Sequence, residues 1–215
     1  MKNFLVIGLG SFGLTLARAL IDQGNEVAVV DLQEERVNEA RNFVDKAIIA
    51  DVKRRDVLAE LHVDAFDTVV VNLGDEIDAS ILTTLFLKQM GARRVFVKAT
   101  SEDHATILKM VGADQVVFPE RDTALRLSHI LGSPNLLDEV LLAPGYSLIE
   151  MSAPDAFVGR SLAKLNLTNQ YRVQVLLIKR PGGAVVFPRG ELEIHAGDTV
   201  VLMGRDPDLK VVEGL

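Results

Sequence analysis

Residues 8–13, Gly-Leu-Gly-Ser-Phe-Gly, constrain the fold of this chain more than any other stretch. The apolar run at 4–7 before them has the composition of a buried strand, and residues 14–21 after them are apolar on one face at helical spacing. A second predicted strand, residues 26–30, ends at Asp31. Strand, glycine turn, helix, strand and acid in this order are typical of a nucleotide-binding unit, in which the acid follows about 20 residues after the glycines.

The glycine turn contains three positions with distinct physical roles. Gly8 allows the tight turn, Gly10 lets the backbone approach a pyrophosphate, and Gly13 lets helix and strand pack closely. Unpaired N–H groups and the positive end of the helix dipole attract phosphates there. A glycine pattern alone can also be a turn selected for packing, but here strand, helix and acid are in register. The candidate nucleotide-binding residues of this segment are Gly8, Gly10, Ser11, Phe12, Gly13 and Asp31.

Asp31 is placed to accept hydrogen bonds from ribose hydroxyls and to repel a 2′-phosphate. Arg36 is the nearby cation, and we expect it to face solvent.

Strand–helix alternation continues well beyond Asp31. Strands are predicted at 46–50, 68–71, 94–98 and 115–118, and helices at 33–43, 54–61, 77–90, 102–111 and 120–131. About six βα units over about 130 residues predict an α/β fold with a Rossmann-like, doubly wound parallel sheet.

The alternation of predicted strands and helices ends at Gly132-Ser133-Pro134. Strands are predicted at 146–151, 173–179, 184–187 and 199–203, with Ser161 capping a short helix and a frayed end from Pro207. We therefore expect a nucleotide-binding domain over 1–133, a linker over 134–143, and a smaller β-rich α+β domain over 144–215.

Five leucines near the linker have no obvious place in either core, and they suggest a contact between subunits. They are Leu131, Leu136, Leu137, Leu141 and Leu142.

Polar residues also follow other predicted strands, at the edge where open α/β sheets bind ligands. Asp51, Asn72 and Lys98 are candidates for contact with a nucleotide. Asp51 and Asp75 could instead cap helices, and Lys98 could be an ordinary surface side chain. Glu120 lies in a first helical turn, where an acid commonly complements the helix dipole.

Composition narrows the possible functions. The net charge of −7 argues against a nucleic-acid surface, and the lack of cysteine excludes disulfides and thiolate nucleophiles. The longest uncharged run, residues 4–17, is shorter than the roughly 20 apolar residues of a membrane span. Since Met1 leads almost directly into a strand, we expect no signal peptide and a cytoplasmic protein.

Two classes of function fit these observations. An NAD-dependent oxidoreductase would need a catalytic acid or base beside the nicotinamide and a domain that closes over its substrate. The β-rich second half shows no poised histidine, Tyr–Lys pair or cysteine, so we favour a regulatory module that binds nucleotide and is not an enzyme.

Several segments together resemble the cytosolic regulator subunits of Ktr/Trk potassium-uptake systems. In the first half they are residues 6–13, 29–31, 79–85, 97–99, 111–114 and 118–122, and in the second half 159–162, 175–180 and 197–204. The resemblance implies an RCK (KTN) domain followed by a small RCK C-terminal domain. It implies homodimers that assemble into a ring, expected to be an octamer, on a membrane potassium channel or transporter at the inner face of the cell membrane. Binding of an adenine nucleotide, NAD(H) or ATP/ADP, would gate transport.

The resemblance also implies roles for individual positions. Asp51 would lie at the adenine end, Lys98 beside the crevice, and Glu120 would help to hold a divalent cation near the phosphates at the dimer interface, as an acid does in some relatives. Many relatives carry Arg where this chain has Ser11, and that guanidinium senses the terminal phosphate. Because a serine hydroxyl cannot make a charged bidentate contact, we expect weak discrimination between ATP and ADP.

Overall fold

The computed structural model describes residues 1–215 and divides into two compact units, Met1–Pro119 and Glu120–Leu215. The first unit contains six strands: β1 (Asn3–Ile7), β2 (Glu26–Asp31), β3 (Lys46–Ile49), β4 (Thr68–Val71), β5 (Val95–Lys98) and β6 (Gln115–Val117). Its helices are α1 (Ser11–Asp22), α2 (Glu34–Ala40), α3 (Arg55–Glu60), α4 (Ile77–Gln89) and α5 (Glu102–Met110).

The first unit is built on one parallel sheet with strand order β3-β2-β1-β4-β5-β6. This order confirms the predicted Rossmann-like sheet. The chain starts in the middle, winds outward through β2 and β3, and then returns to β4 on the other side of β1. The adjacent strands β1 and β4 therefore form the switch point, outside whose carboxyl ends such sheets bind ligands.

Alternating side chains of the central strands supply two apolar layers. Leu5 and Ile7 of β1 pack in one core cluster, whereas Val6 packs in the other. All three side chains are fully buried. Helices cover both faces, which explains why these strands read as continuous apolar runs without polar alternation.

The second unit is built on an antiparallel sheet. Its strands are β7 (Leu136–Ala143), β8 (Tyr146–Ser152), β9 (Gln174–Lys179), β10 (Val185–Val186) and β11 (Thr199–Arg205). Their order in the sheet is β10-β9-β11-β8-β7. The helices are α6 (Pro119–Gly132), whose residues from Glu120 onward belong to this unit, α7 (Leu162–Leu165), α8 (Leu167–Tyr171) and α9 (Asp206–Glu213). Ser161 caps α7 as predicted, because its Oγ accepts a hydrogen bond from the Lys164 N–H at 3.4 Å.

The segment expected to be a linker, 134–143, is mostly strand β7, which pairs with β8. The pairing register shifts between Leu136 and Asp138 and again between Leu141 and Ala143. Each irregularity interrupts the two-residue period by which a strand is recognised, so the segment lacks the alternation of a strand.

Two further sequence expectations are wrong. Leu136 is not a surplus leucine, because it is only 5% exposed and packs in the core of its own unit. The end of the chain is not frayed, because α9 buries Leu209 and Val212. The pair Asp206-Pro207 at the start of α9 could have indicated this helix, since proline is favoured in a first helical turn.

No helix of the molecule combines the length and hydropathy needed to cross a membrane.

Candidate nucleotide-binding site

The glycine turn follows β1 at the switch point and is closely packed against the residue that follows β4. Gly8 has φ +89°, and a Cβ at this position would lie 1.9 Å from the Asn72 carbonyl oxygen. A Cβ at Gly13 would lie 2.0 Å from the Gly8 carbonyl oxygen. Packing within the protein therefore demands glycine at both positions.

Gly10 differs from its two neighbours in the turn. It precedes α1 in an extended conformation, with φ −63° and ψ 179°, which any residue adopts readily. A Cβ there would meet only the Asn72 Nδ2 atom, at 3.6 Å, an ordinary contact. Nothing inside the protein requires glycine at this position, whereas close approach of a ligand to the backbone would.

Asn72 holds the turn from the β4 side. Its backbone N–H donates to the Ile7 carbonyl oxygen at 2.8 Å, and its Nδ2 donates to the Gly8 carbonyl oxygen at 3.2 Å. The residue is only 7% exposed. The structure thus places Asn72 in the candidate site, with its side chain supporting the glycine turn.

Asp31 is buried at the end of β2 and also holds the turn. Its Oδ2 accepts the Leu9 N–H at 2.6 Å and its Oδ1 accepts the Gln33 N–H at 2.7 Å. A carboxylate has about four acceptor positions, so capacity remains for two ribose hydroxyls. Arg36 does not simply face solvent as expected, because its Nη1 lies 3.6 Å from Asp31 Oδ2.

The start of α1 is open to an anion. The helix begins at exposed Ser11 without a side-chain cap at Gly10 and without an acid in its first turn. Phe12 is half-buried and packs against one of the two core clusters of the first unit. Its side chain anchors the helix start, so the groups of this turn that could meet an anion are its backbone N–H groups.

The remaining predicted residues occupy the ends of other elements. Asp51 follows β3 and accepts the Lys53 N–H at 3.0 Å, so it stabilises its own turn and does not cap α3. Asp75 does not cap α4 either, because that helix has no side-chain cap. Lys98 is the last residue of β5, at the same edge of the sheet as the glycine turn. Glu120 lies at the start of the second unit, in the first turn of α6.

An ion pair at this edge of the parallel sheet was not predicted from the sequence. Lys53 contacts Glu76 and thereby joins the loops that follow β3 and β4. The hydrogen bond to Glu76, with the negative charges of Glu76, Asp78 and Asp51, raises the pKa of Lys53. The sequence offered no signal for it, since the two residues lie in different loops.

His104 in α5 is the most deeply buried titratable group of the first unit. It is 2% exposed, its Nδ1 lies 3.3 Å from Thr100 Oγ1, and its Nε2 has no partner. Burial lowers the pKa of this imidazole below the usual 6.5, because the charged form would lose its hydration.

The pKa of His104 gives a pH dependence of stability. Because the unfolded chain binds the proton more readily than the folded one, the free energy of unfolding should fall as the pH drops below about 6.5. Replacement by glutamine, H104Q, should flatten this dependence between about pH 5 and 6.5, above the range of ordinary carboxylates. Urea unfolding followed by circular dichroism measures it, with H62Q at an exposed histidine as the control. An unchanged slope in H104Q would contradict the assignment.

The fold and the site together define the class of protein: a nucleotide-binding type of fold, in which a Rossmann-like sheet has a glycine turn at its switch point and is followed by a separate antiparallel unit. Family models agree with this division, since residues 4–119 match the TrkA-N domain and residues 147–215 match the TrkA-C domain. The chain belongs to the TrkA-N/TrkA-C family of Ktr and Trk potassium-uptake proteins.

Named relatives are similar over nearly their whole length. Ktr system potassium uptake protein C of Bacillus subtilis (strain 168) is 38% identical over 212 residues, 99% of this chain and 96% of that protein. Ktr system potassium uptake protein A of Vibrio alginolyticus is 36% identical over 203 residues, 94% of this chain and 92% of that protein.

Solved structures share the fold at lower identity. The GsuK channel bound to NAD matches with a TM-score of 0.56 and 20% identity, over 100% of this chain and 38% of that chain. The TrkA-N domain of the inner membrane protein ybaL from Escherichia coli matches with a TM-score of 0.55 and 18% identity, over 60% of this chain and 96% of that domain. This chain spans less than half of the length of the GsuK chain.

Proposed function

We propose that this protein is the nucleotide-binding regulatory subunit of a membrane potassium channel or transporter. It would act in the cytoplasm, held at the inner face of the membrane by its partner, and would gate potassium transport in response to an adenine nucleotide. Membership of the Ktr/Trk family supports the partner and the ion. The conformation and surroundings of Gly10, which leave its backbone approachable, carry the proposal of a nucleotide.

The ligand in this proposal is NAD(H) or ATP/ADP, with its phosphates at the start of α1. The N–H groups of the turn and the positive end of the helix dipole would hold the phosphates, and Asp31 would accept the ribose hydroxyls. Asp51 would lie at the adenine end and Lys98 beside the crevice. Glu120 would help to hold a divalent cation near the phosphates at the dimer interface.

Catalysis is not part of the proposed role. Differential affinity of a nucleotide for two conformations of the protein is sufficient to shift their populations, without any bond being made or broken. The alternative, an NAD-dependent oxidoreductase, predicts turnover of NAD with a panel of alcohols, and our proposal expects none.

Replacing Gly10 by alanine tests nucleotide binding with little effect on the fold. The new methyl group has room within the protein, so the free energy of unfolding should stay within about 0.5 kcal/mol of the wild type. The same methyl group stands where a pyrophosphate would approach, so affinity for NAD and ADP should fall at least about tenfold, or 1.4 kcal/mol. Calorimetric titration measures it, and Gly132, with open space around it, provides the control G132A. Unchanged affinity in G10A would contradict the placement of the phosphates.

Ser11 gives a second expectation, concerning which nucleotides the site can distinguish. ATP, ADP and NAD(H) should compete with affinities within about tenfold of each other, because the turn recognises the shared pyrophosphate. A charge-assisted hydrogen bond contributes about 1.5–3 kcal/mol, so S11R should raise ATP affinity by roughly tenfold to hundredfold and leave ADP nearly unchanged.

The control for S11R is T15R, which adds the same charge at an exposed position one turn further along α1. Titrations with and without magnesium separate any contribution of a cation held by Glu120. A wild-type preference for ATP of about a hundredfold without magnesium would refute the expectation from Ser11.

We also propose that the protein forms homodimers that assemble into a ring, with an octamer as the expected form. Helix α6 supports this assembly, since none of its 14 residues is buried within the chain. A helix of this length is marginal by itself and normally depends on packing of an apolar face. Leu131 is 78% exposed and Leu141 of β7 is 68% exposed, and both would be covered by another subunit.

A further inference from the structure

Strand β7 is a free edge of the second sheet; it contains no proline and is interrupted by the two register shifts in its pairing with β8. Only β8 lies beside it, so the outer side of its eight residues has no strand to pair with. Edge strands of natural proteins are commonly kept short or interrupted by proline, because their free N–H and C=O groups can recruit another chain. The opposite edge is protected in this way, because β10 has two residues and Pro188 follows soon after.

The second half of β7 is apolar on both faces of the sheet. Val140 is 50% exposed, Leu141 is 68% exposed and Leu142 is 50% exposed. Successive side chains of a strand point to opposite faces, so a helix lying on one face would cover only part of this surface. A strand added alongside would contact the side chains on both faces.

The first half of β7 is already engaged within the chain. Arg126 Nη1 lies 3.0 Å from Asp138 Oδ1, and His129 Nδ1 lies 2.7 Å from Glu139 Oε2. Side chains of α6 therefore contact both acidic residues, and the part of the strand that none of these contacts covers runs from Val140 to Ala143.

We propose that two copies of the chain pair along this edge, β7 against β7, in an antiparallel arrangement centred on Leu141. The two five-stranded sheets then form one continuous ten-stranded sheet. The inference deepens the homodimer proposed above and rests on it. A twofold axis relates two identical antiparallel strands naturally and places the same surface on both sides of the contact.

The polarity of the side chains that face each other selects the register of this pairing. A twofold antiparallel pair sets one residue directly opposite its own copy. Centring on Glu139 would oppose two carboxylates, which is unfavourable. Centring on Leu141 sets Val140 opposite the partner's Leu142, so apolar residues meet apolar residues.

Cysteine cross-linking tests both the contact and its register. Because the chain contains no cysteine, each introduced thiol is unique. Directly opposite residues lie about 4.5–5.5 Å apart between Cα atoms, within disulfide range, whereas diagonal neighbours are about 7–8 Å apart. Under mild oxidation L141C should convert almost completely to the cross-linked dimer. F187C, 75% exposed beyond the other edge, is the control and should give only traces.

Two differently tagged chains, V140C and L142C, test the register when they are expressed together. Each variant alone should cross-link poorly, and the pair should give the mixed disulfide in high yield. Sedimentation of every reduced variant establishes whether the oligomer is intact.

An intact oligomer in which L141C cross-links no better than F187C would overturn the edge pairing and leave the homodimer standing. V140C cross-linking efficiently with itself would overturn the proposed register. A wild-type protein that sediments as a monomer would overturn both the edge pairing and the homodimer.

Discussion

Replacing Gly8 by alanine should destabilise the first unit by about 4 kcal/mol or more, an exceptionally large effect for one methyl group. The new Cβ would lie 1.9 Å from the backbone carbonyl oxygen of Asn72, and its own position is fixed by the bond to Cα. Neither can rotate away, so the turn must separate from the end of β4. Any nucleotide bound at the turn should be lost together with this geometry.

The control is G24A, at a glycine with the same kind of backbone conformation. Its φ is +80° against +89° at Gly8, but no atom lies within 4 Å of the added Cβ. G24A should therefore cost only the conformational strain of a left-handed residue, about 1–2 kcal/mol, and should leave nucleotide affinity unchanged.

Urea unfolding can separate the two units. The chain has two tyrosines and no tryptophan, and Tyr146 and Tyr171 both belong to the second unit. Tyrosine fluorescence therefore follows the second unit, while circular dichroism follows both. G8A should lower the urea midpoint of the first unit, whose transition is seen by circular dichroism without a change in tyrosine fluorescence. The midpoint of the second unit should stay the same. Equal destabilisation by G8A and G24A would refute the steric explanation.

Replacing Leu137 and Leu141 together by aspartate should convert the assembly into monomers that still bind nucleotide. The side chains are 48% and 68% exposed in the single chain, so the fold should tolerate both carboxylates. In a subunit interface the same groups would be buried without partners, which costs at least several kcal/mol.

The matched control for this pair is V185D/F187D at the other edge of the sheet. These side chains are 53% and 75% exposed, so the same charge is added to the same unit away from β7. The control should sediment like the wild type, and both proteins should keep the wild-type affinity for nucleotide. An unchanged oligomer in L137D/L141D would exclude these leucines from the interface.

Local periodicity was sufficient for the first unit but not for β7. Strands β1, β2 and β4 are apolar runs between clear turn signals, and each was predicted to within one residue of its observed ends. Strand β7 has the same apolar composition, but its two register shifts depend on the pairing partner β8. The residues of one strand do not by themselves show which neighbouring strand will set its pairing register.

For the candidate site as well, the sequence predicted the features that depend on nearby residues and missed those that depend on distant ones. Spacing along the chain identified Gly8, Gly10, Gly13 and Asp31. It could not identify Asn72 as the residue whose carbonyl oxygen leaves no room for a Cβ at Gly8. The contact between Arg36 and Asp31 was missed as well, because whether a side chain turns toward a neighbouring strand end depends on the space left by the surrounding fold.

Local information in the sequence was enough to establish the order of elements in the first unit, the glycine turn and the family to which the chain belongs. These features follow from backbone conformation, side-chain periodicity and short-range spacing, all of which act within a few residues. Tertiary packing alone shows that Asn72 supports the turn, that no residue of α6 is fully buried and that the outer half of β7 is exposed. Each of these depends on groups that are distant in sequence, and burial and hydrogen-bond satisfaction are properties of the packed chain.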